Sequence, residues 1–394
     1  MNSYAVANGF SWNLIVWTFV FGGISVFFIS SRISFKLAAV LITIKFLIVA
    51  TYFGIWSDGT WFIGGDDQGY FETGLILLQT GYSPLDIWFS PEGKYLLSAH
   101  TSVALYRWWN MLWLYLIEPS YFAPVMANAF VSVLSACLFD SILRISGYAR
   151  RFRAGFLAFF LLHWDIVAWT SFLNIKEALI VFLLLLLIRS VLQIGNRQYI
   201  VINLSLIAMC VILFQGIRFY YPILIGVAVS LYWLSKTPRP VITVGALLVV
   251  GVGLAWFYGN YLDLVQELVK VNQVGRGIGR MLFSPLPWKI SDPATYLIPG
   301  SILHIALLPG AVFGAWQLLK SSSQTRLIVL VVIVGLAFYA LVPRLGSPRH
   351  RAPMMALWTL FEYQFIFVLI MGWVRARATS ALSGLSPKIG QGIS

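Results

Sequence analysis

Runs of about twenty apolar residues recur along the whole 394-residue chain, most of them joined by connections of only a few residues. A bilayer core about 30 Å thick takes roughly 20 apolar residues per helix, and lipid leaves no partner for exposed backbone, so the pattern dictates an all-α polytopic membrane protein. Eleven spans are expected, at 10–30, 37–56, 121–143, 154–172, 177–194, 199–216, 220–234, 241–258, 297–319, 327–342 and 353–373. Composition agrees, with 59% hydrophobic and 10% charged residues, where a soluble domain carries about 25% charged residues. Disordered, collagen-like and disulfide-framework classes are thereby excluded. Cys137 and Cys210 each sit inside an apolar run and point to neither redox nor zinc chemistry. The chain reads as a single integral membrane domain, 1–394, with two long loops at 57–120 and 259–296.

A net charge of +13 would suggest nucleic acid as the partner of a soluble protein. Here the bases sort by membrane side instead, and no nucleic acid is expected. Arg32 and Lys36, Arg144, Arg150, Arg151 and Arg153, Arg189 and Arg197, Lys236 and Arg239, Lys320 and Arg326, and Arg375, Arg377 and Lys388 fall on the same side of consecutive spans. The positive-inside rule makes that side cytoplasmic, with the amino terminus outside and the carboxyl terminus inside. No Lys or Arg precedes Arg32, so the first apolar run reads as a retained helix and not as a cleaved signal peptide. The acids take the opposite side, leaving Asp140 at a cytoplasmic helix end and Asp165 and Glu362 within spans. One further apolar stretch, 95–117, would push the Arg150 to Arg153 cluster outside if it crossed. Its Tyr95, Tyr106, Trp108, Trp109, Trp113 and Tyr115 are interfacial residues, so it is expected to lie along the outer surface.

Chemistry is expected on the outer face, where the two long loops lie. Gly64-Gly65-Asp66-Asp67-Gln68-Gly69-Tyr70 follows the second span. Adjacent carboxylates among glycines offer a general base or a divalent-metal site for Mg or Mn, and Asp67 equally suits the cap of a helix running from about Gly69 to Gln79. Positive groups occupy the same side: Lys176 beside Glu177, Arg218 before Phe219-Tyr220-Tyr221-Pro222, Arg276 and Arg280 one turn apart, and Arg344, Arg349, His350 and Arg351 at the last outer turn. Guanidinium groups at a membrane surface suit a phosphate-bearing head group, either as substrate or as bulk anionic lipid. The Gly275, Gly277, Gly279 run lacks a dinucleotide fingerprint and reads as a flexible or close-packed turn. Lys45, His163, Asp165 and Glu362 are intramembrane ionisable groups, either functional or paired for helix packing. His100 and His304 read as structural residues. There is no HExxH, GxSxG or Cys/His cluster.

Together these motifs resemble the GT-C superfamily of polytopic membrane glycosyltransferases. The resemblance rests on Asp66-Asp67-x-x-Tyr70 early in the first outer loop, the 171–179 hairpin with Lys176-Glu177, the Ser284-Pro285-Leu286-Pro287-Trp288 segment and the terminal Arg349-His350-Arg351-Ala352-Pro353. The chain departs from the pattern in placing its acidic loop after the second apolar run and not the first. The resemblance implies inverting transfer of a sugar from a polyprenyl-phosphate-linked donor to a glycan, lipid or protein acceptor, at the outer face of a bacterial cytoplasmic membrane. It implies Asp66 or Asp67 as base or metal ligand. It also implies Tyr70, Lys176, Glu177, Arg218, Arg276, Arg280, Arg349, His350 and Arg351 as the substrate and phosphate site. Two other readings fit the same charges: an O-antigen or exopolysaccharide polymerase or ligase in cell-envelope biosynthesis, and a transporter or flippase for lipid-linked saccharide. The absence of internal repeats counts against the last of these.

Overall fold

The structure is a computed structural model that describes residues 12–52, 65–98, 103–236, 274–290, 294–342 and 348–384. The expected span at 241–258, residues 259–273 and 291–293 of the second long loop, Gly64, His100, Arg239 and Arg344 lie outside the described residues. Among the described residues there are fifteen α-helices and no strand.

Helices α1 (Trp12–Ser30) and α2 (Phe35–Thr51) form a hairpin. Ser34 caps the second helix, its hydroxyl accepting from the Leu37 amide at 3.4 Å. A layer of three shorter helices follows: α3 (Gly65–Gln79), α4 (Pro91–Ser98) and α5 (Ala104–Leu116). The apolar 95–117 stretch is thus divided between α4 and α5. At 13 residues, α5 rises about 20 Å and is too short to cross a bilayer upright. It lies against α3 and α6 (Phe122–Ile145).

The centre of the bundle is α6. It packs on α1, on α7 (Arg150–Leu162), on α8 (Trp164–Ser171) and most extensively on α9 (Glu177–Gly195). Its Ala123, Ala127, Ala129, Ser132, Ser135 and Ala136 are buried, and small side chains let neighbouring backbones approach closely where apolar burial alone gives lipid-embedded helices little preference for each other. The expected span at 154–172 is a bent pair. Extended backbone at His163 separates α7 from α8, and their axes differ by 51°.

Next come α10 (Ile200–Gln215) and α11 (Tyr221–Leu234). After 237–273 the chain continues with the short α12 (Val274–Phe283), α13 (Ile298–Ser321), α14 (Ser323–Leu341) and the long α15 (Pro348–Gly384). The close meeting of α13 with α15 depends on Gly314, where a Cβ would run into the Phe361 carbonyl. Every expected span within the described residues coincides with a helix or with the bent pair. Among the described residues, five helices are long and apolar enough to cross a membrane, or six if the α7–α8 pair counts as one span. Outward-facing Ile302, Val312, Phe313 and Trp316 on α13, and Leu369, Ile370 and Trp373 on α15, suit a lipid-facing surface.

The bundle has two chemically distinct ends. At one, Arg153 donates to both Asp140 oxygens at 3.0 and 3.2 Å, Arg32 approaches the same carboxylate at 3.6 Å, and Arg189 donates to Ser141 at 3.1 Å. At the other end of α6 lie Tyr121 and the residues of the first long loop.

Candidate functional site

The first turn of α3 carries both acidic residues, because the helix begins at Gly65, four residues earlier than the expected Gly69. Consecutive helical residues point about 100° apart, so the two carboxylates face different surroundings. Asp67 is buried, at 2% exposure. Its Oδ2 accepts from the Tyr121 hydroxyl at 3.1 Å, and its Oδ1 from the Gln68 amide at 3.0 Å. Asp66 is half exposed and forms an ion pair with Arg349 in the first turn of α15.

A buried polar ladder continues from Asp67 and fixes the turn between α8 and α9. The Tyr121 hydroxyl accepts from the Asn174 amide at 3.1 Å, Tyr106 donates to the Asn174 side chain at 2.8 Å, and the Asn128 amide donates to the Tyr106 hydroxyl at 2.8 Å and to the Ile175 carbonyl at 3.2 Å. Satisfied networks of this kind rigidify what they hold. Here they place Lys176, at the start of α9, with its ammonium 5.8 Å from the centre of the Tyr70 ring. Asn128 and Tyr121 escaped the sequence reading; the one signal for Asn128 was an amide inside an apolar run.

Seven of the expected site residues converge around this turn. Glu177 and Arg218 form a fully buried ion pair, with 1% and 3% side-chain exposure. Asp66, Tyr70, Lys176, Arg349 and His350 lie within electrostatic range of that pair or of each other. Beside Arg218 stand three tyrosines, with Tyr339 donating to the Tyr221 hydroxyl at 3.0 Å and 3.4 Å from that of Tyr220. Burial, followed by repulsion from Arg218 and Arg349 and opposed by Glu177 and Asp66, brings the Lys176 ammonium down to about 7. Burial, reinforced by Glu177 and Asp66, raises the Tyr70 phenol above its ordinary range and keeps it a neutral donor. Arg218 Nη1 and Glu177 Oε2 make no hydrogen bond among the described residues. A buried donor left unmade costs about 1–3 kcal/mol, which an anionic ligand would recover.

The two ion pairs differ in strength. Removing one partner of a buried pair costs about 3–5 kcal/mol because the other charge is stranded. An exposed pair such as Asp66–Arg349, at 47% and 30% side-chain exposure, is worth about 0.2–1 kcal/mol. Arg218 is therefore fixed, and Arg349 is exchangeable.

Apart from Asp67, which begins the ladder beneath the turn, the remaining expected residues lie elsewhere. Arg351, two positions beyond Arg349, turns inward and donates to the Met281 carbonyl at 3.0 Å. Arg276 and Arg280 lie on α12, which packs on α14 so closely that a Cβ at Gly277 would meet the Ala340 carbonyl. Of the Gly275, Gly277 and Gly279 run, which is helical and not a turn, Gly277 is close-packed, while a Cβ at Gly275 or Gly279 would meet nothing within 4 Å. His304 bonds to the Leu282 carbonyl at 2.8 Å and lies 3.4 Å from Glu362, which is 2.9 Å from His163. The Arg351 guanidinium at the Met281 carbonyl complements the carboxyl end of α12. The intramembrane His163, His304 and Glu362 therefore tie α7, α13 and α15 together and hold α12 in place. Replacing Glu362 with Ala leaves the buried His163 ring without its hydrogen-bond partner and is expected to cost about 1–3 kcal/mol, seen as a lowered melting temperature in detergent; an unchanged melting temperature would contradict the tie.

A half-open apolar cavity of about 610 Å³ lies between α2, α8 and the start of α13, walled by Ile44, Leu47, Tyr52, Trp164, Phe172 and Tyr296. Tyr52 and Tyr296, two of its lining residues, are within electrostatic range of Asp67. Leu47 of α2, which lines the cavity, is exposed.

No family model matches the chain, and neither a curated protein nor a solved structure matches it.

Proposed function

We propose that the chain is a membrane glycosyltransferase that moves a sugar from a polyprenyl-phosphate-linked donor to a glycan, lipid or protein acceptor. The observation that carries this reading is the meeting of one exposed carboxylate, Asp66, with Lys176, Arg218 and Arg349 at the end of the bundle that also holds the apolar cavity. A phosphate-bearing lipid needs that combination: cations for the head group and an apolar wall for the chain.

In this reading Asp66 takes the proton from an acceptor hydroxyl as its oxygen attacks the anomeric carbon from the face opposite the phosphate. The bond from that carbon to the phosphate oxygen breaks, configuration inverts, and the prenyl phosphate leaves with its added negative charge. Lys176, Arg349 and the unpaired Arg218 Nη1 stabilise that charge, each well-placed donor contributing roughly 10²–10³-fold. Asp66 and Asp67 are turned apart, towards Arg349 and Tyr121, and do not form a joint ligand set for Mg or Mn. Asp67 belongs to the scaffold of the site. The placement proposed is a bacterial cytoplasmic membrane crossed eleven times, amino terminus outside, with α3 to α5 lying on the outer surface.

Purified protein incubated with a donor labelled in its sugar tests the reading. Label appearing in one discrete acceptor product supports a transferase, and a ladder of repeats supports the polymerase or ligase alternative. Label crossing reconstituted vesicles without a covalent product would instead make the protein a transporter.

A farnesyl methyl phosphodiester keeps a single negative charge across neutral pH and serves as a binding probe. Lys176 is cationic below about 7 and neutral above it. Probe affinity is therefore expected to fall roughly tenfold from pH 6 to pH 8, the loss of one charged hydrogen bond. Lys176→Arg, which stays charged, is expected to flatten the profile. An equally steep profile in that variant would remove Lys176 from the phosphate site.

A further inference from the structure

Of the cations around the turn, Arg349 is the one whose partner is exposed, and that partner is the carboxylate assigned to proton transfer. The same two side chains cannot serve both the resting ion pair and the reaction. Arg218 has no such freedom, because leaving Glu177 would strand a carboxylate that is 1% exposed. Lys176 is held by its turn above the Tyr70 ring. We propose that Arg349 is exchanged between Asp66 and the phosphate of an arriving lipid-linked donor, so that Asp66 is freed to act as a base only once a donor is in place. This rests on the glycosyltransferase reading and adds a regulation to it. The exchange makes chemical sense at small cost, since the guanidinium trades one weakly held carboxylate, met through Nη1, for a phosphate anion that can accept from two of its nitrogens at once. It also keeps the base paired, and unable to activate water or a stray hydroxyl, while no donor is bound.

A binding cycle with the farnesyl methyl phosphodiester at pH 6.5 tests the proposal. The proteins are the wild type, Asp66→Asn, Arg349→Gln and the double variant, each checked for an unchanged melting temperature. If Arg349 must leave Asp66 to reach the phosphate, Asp66→Asn binds the probe about two- to fivefold more tightly than the wild type, the value of one exposed pair. In the Arg349→Gln background the same substitution then changes nothing. Equal tightening in both backgrounds would mean that Asp66 only repels the anion, and unchanged or weaker binding would mean that no exchange occurs; either result overturns the proposal. Lys176→Ala separates the two levels of argument. Probe binding that weakens with Lys176→Ala while the cycle is additive refutes the exchange and leaves the phosphate site standing. Probe binding indifferent to Lys176, Asp66 and Arg349 alike refutes both.

Discussion

Asp66→Asn is expected to reduce sugar transfer by about 10²–10⁴-fold, the usual contribution of a positioned general base, with little change in melting temperature. Its carboxylate is half exposed and holds one weak ion pair, so the fold does not depend on it. Asp67→Asn should behave in the opposite way. That side chain is buried, accepts from Tyr121 and begins the ladder that places Lys176. The expected result is a loss of about 1–3 kcal/mol in stability, with transfer reduced only as far as the 172–176 turn is displaced. Thermal melts and initial rates on the same preparations separate the two. Full activity in Asp66→Asn, or an undisturbed melt with abolished activity in Asp67→Asn, would reverse the roles assigned to them.

The second large effect concerns the buried pair at the centre of the site. Arg218→Ala takes the ion-pair partner from a Glu177 side chain that is 1% exposed, and is expected to cost about 3–5 kcal/mol. The double variant with Glu177→Ala removes the stranded side chain and should recover a substantial part of that loss, as neighbouring sites that share one interaction are not additive. Neither variant is expected to bind the prenyl phosphodiester as the wild type does, because the unpaired Nη1 of Arg218 is lost in both. The measurement is a melt series for the four proteins of the cycle. Additive losses would show that Arg218 and Glu177 act independently, contrary to their contact.

Much of this was readable in the sequence because lipid imposes strict rules. Twenty-residue apolar runs mark helices whatever their neighbours, and Asp66, Tyr70, Lys176, Glu177, Arg218, Arg349 and His350 were grouped by the side of the membrane on which alternate loops must fall. The structure brings those residues together from four distant segments. What sequence could not supply was rotation. Asp66 and Asp67 are neighbours in the chain, and so, nearly, are Arg349 and Arg351, but which of each pair faces the site depends on how α3 and α15 are turned about their axes. That is set by tertiary contacts, Tyr121 with Asp67 and Met281 with Arg351, that carry no local signature. The break at His163 is of the same kind, a bend in an otherwise uniform apolar run fixed by a bond to Glu362 on another helix.

The most direct test of the phosphate site is a cryo-EM structure of the protein in lipid nanodiscs with the farnesyl methyl phosphodiester bound. The account predicts the phosphate within hydrogen-bonding distance of Lys176, Arg218 and Arg349, with the farnesyl chain entering the cavity walled by Tyr52, Trp164 and Tyr296. A phosphate bound at the opposite end of the bundle, among Arg32, Arg144 and Arg153, with the Asp66 site unchanged, would contradict it.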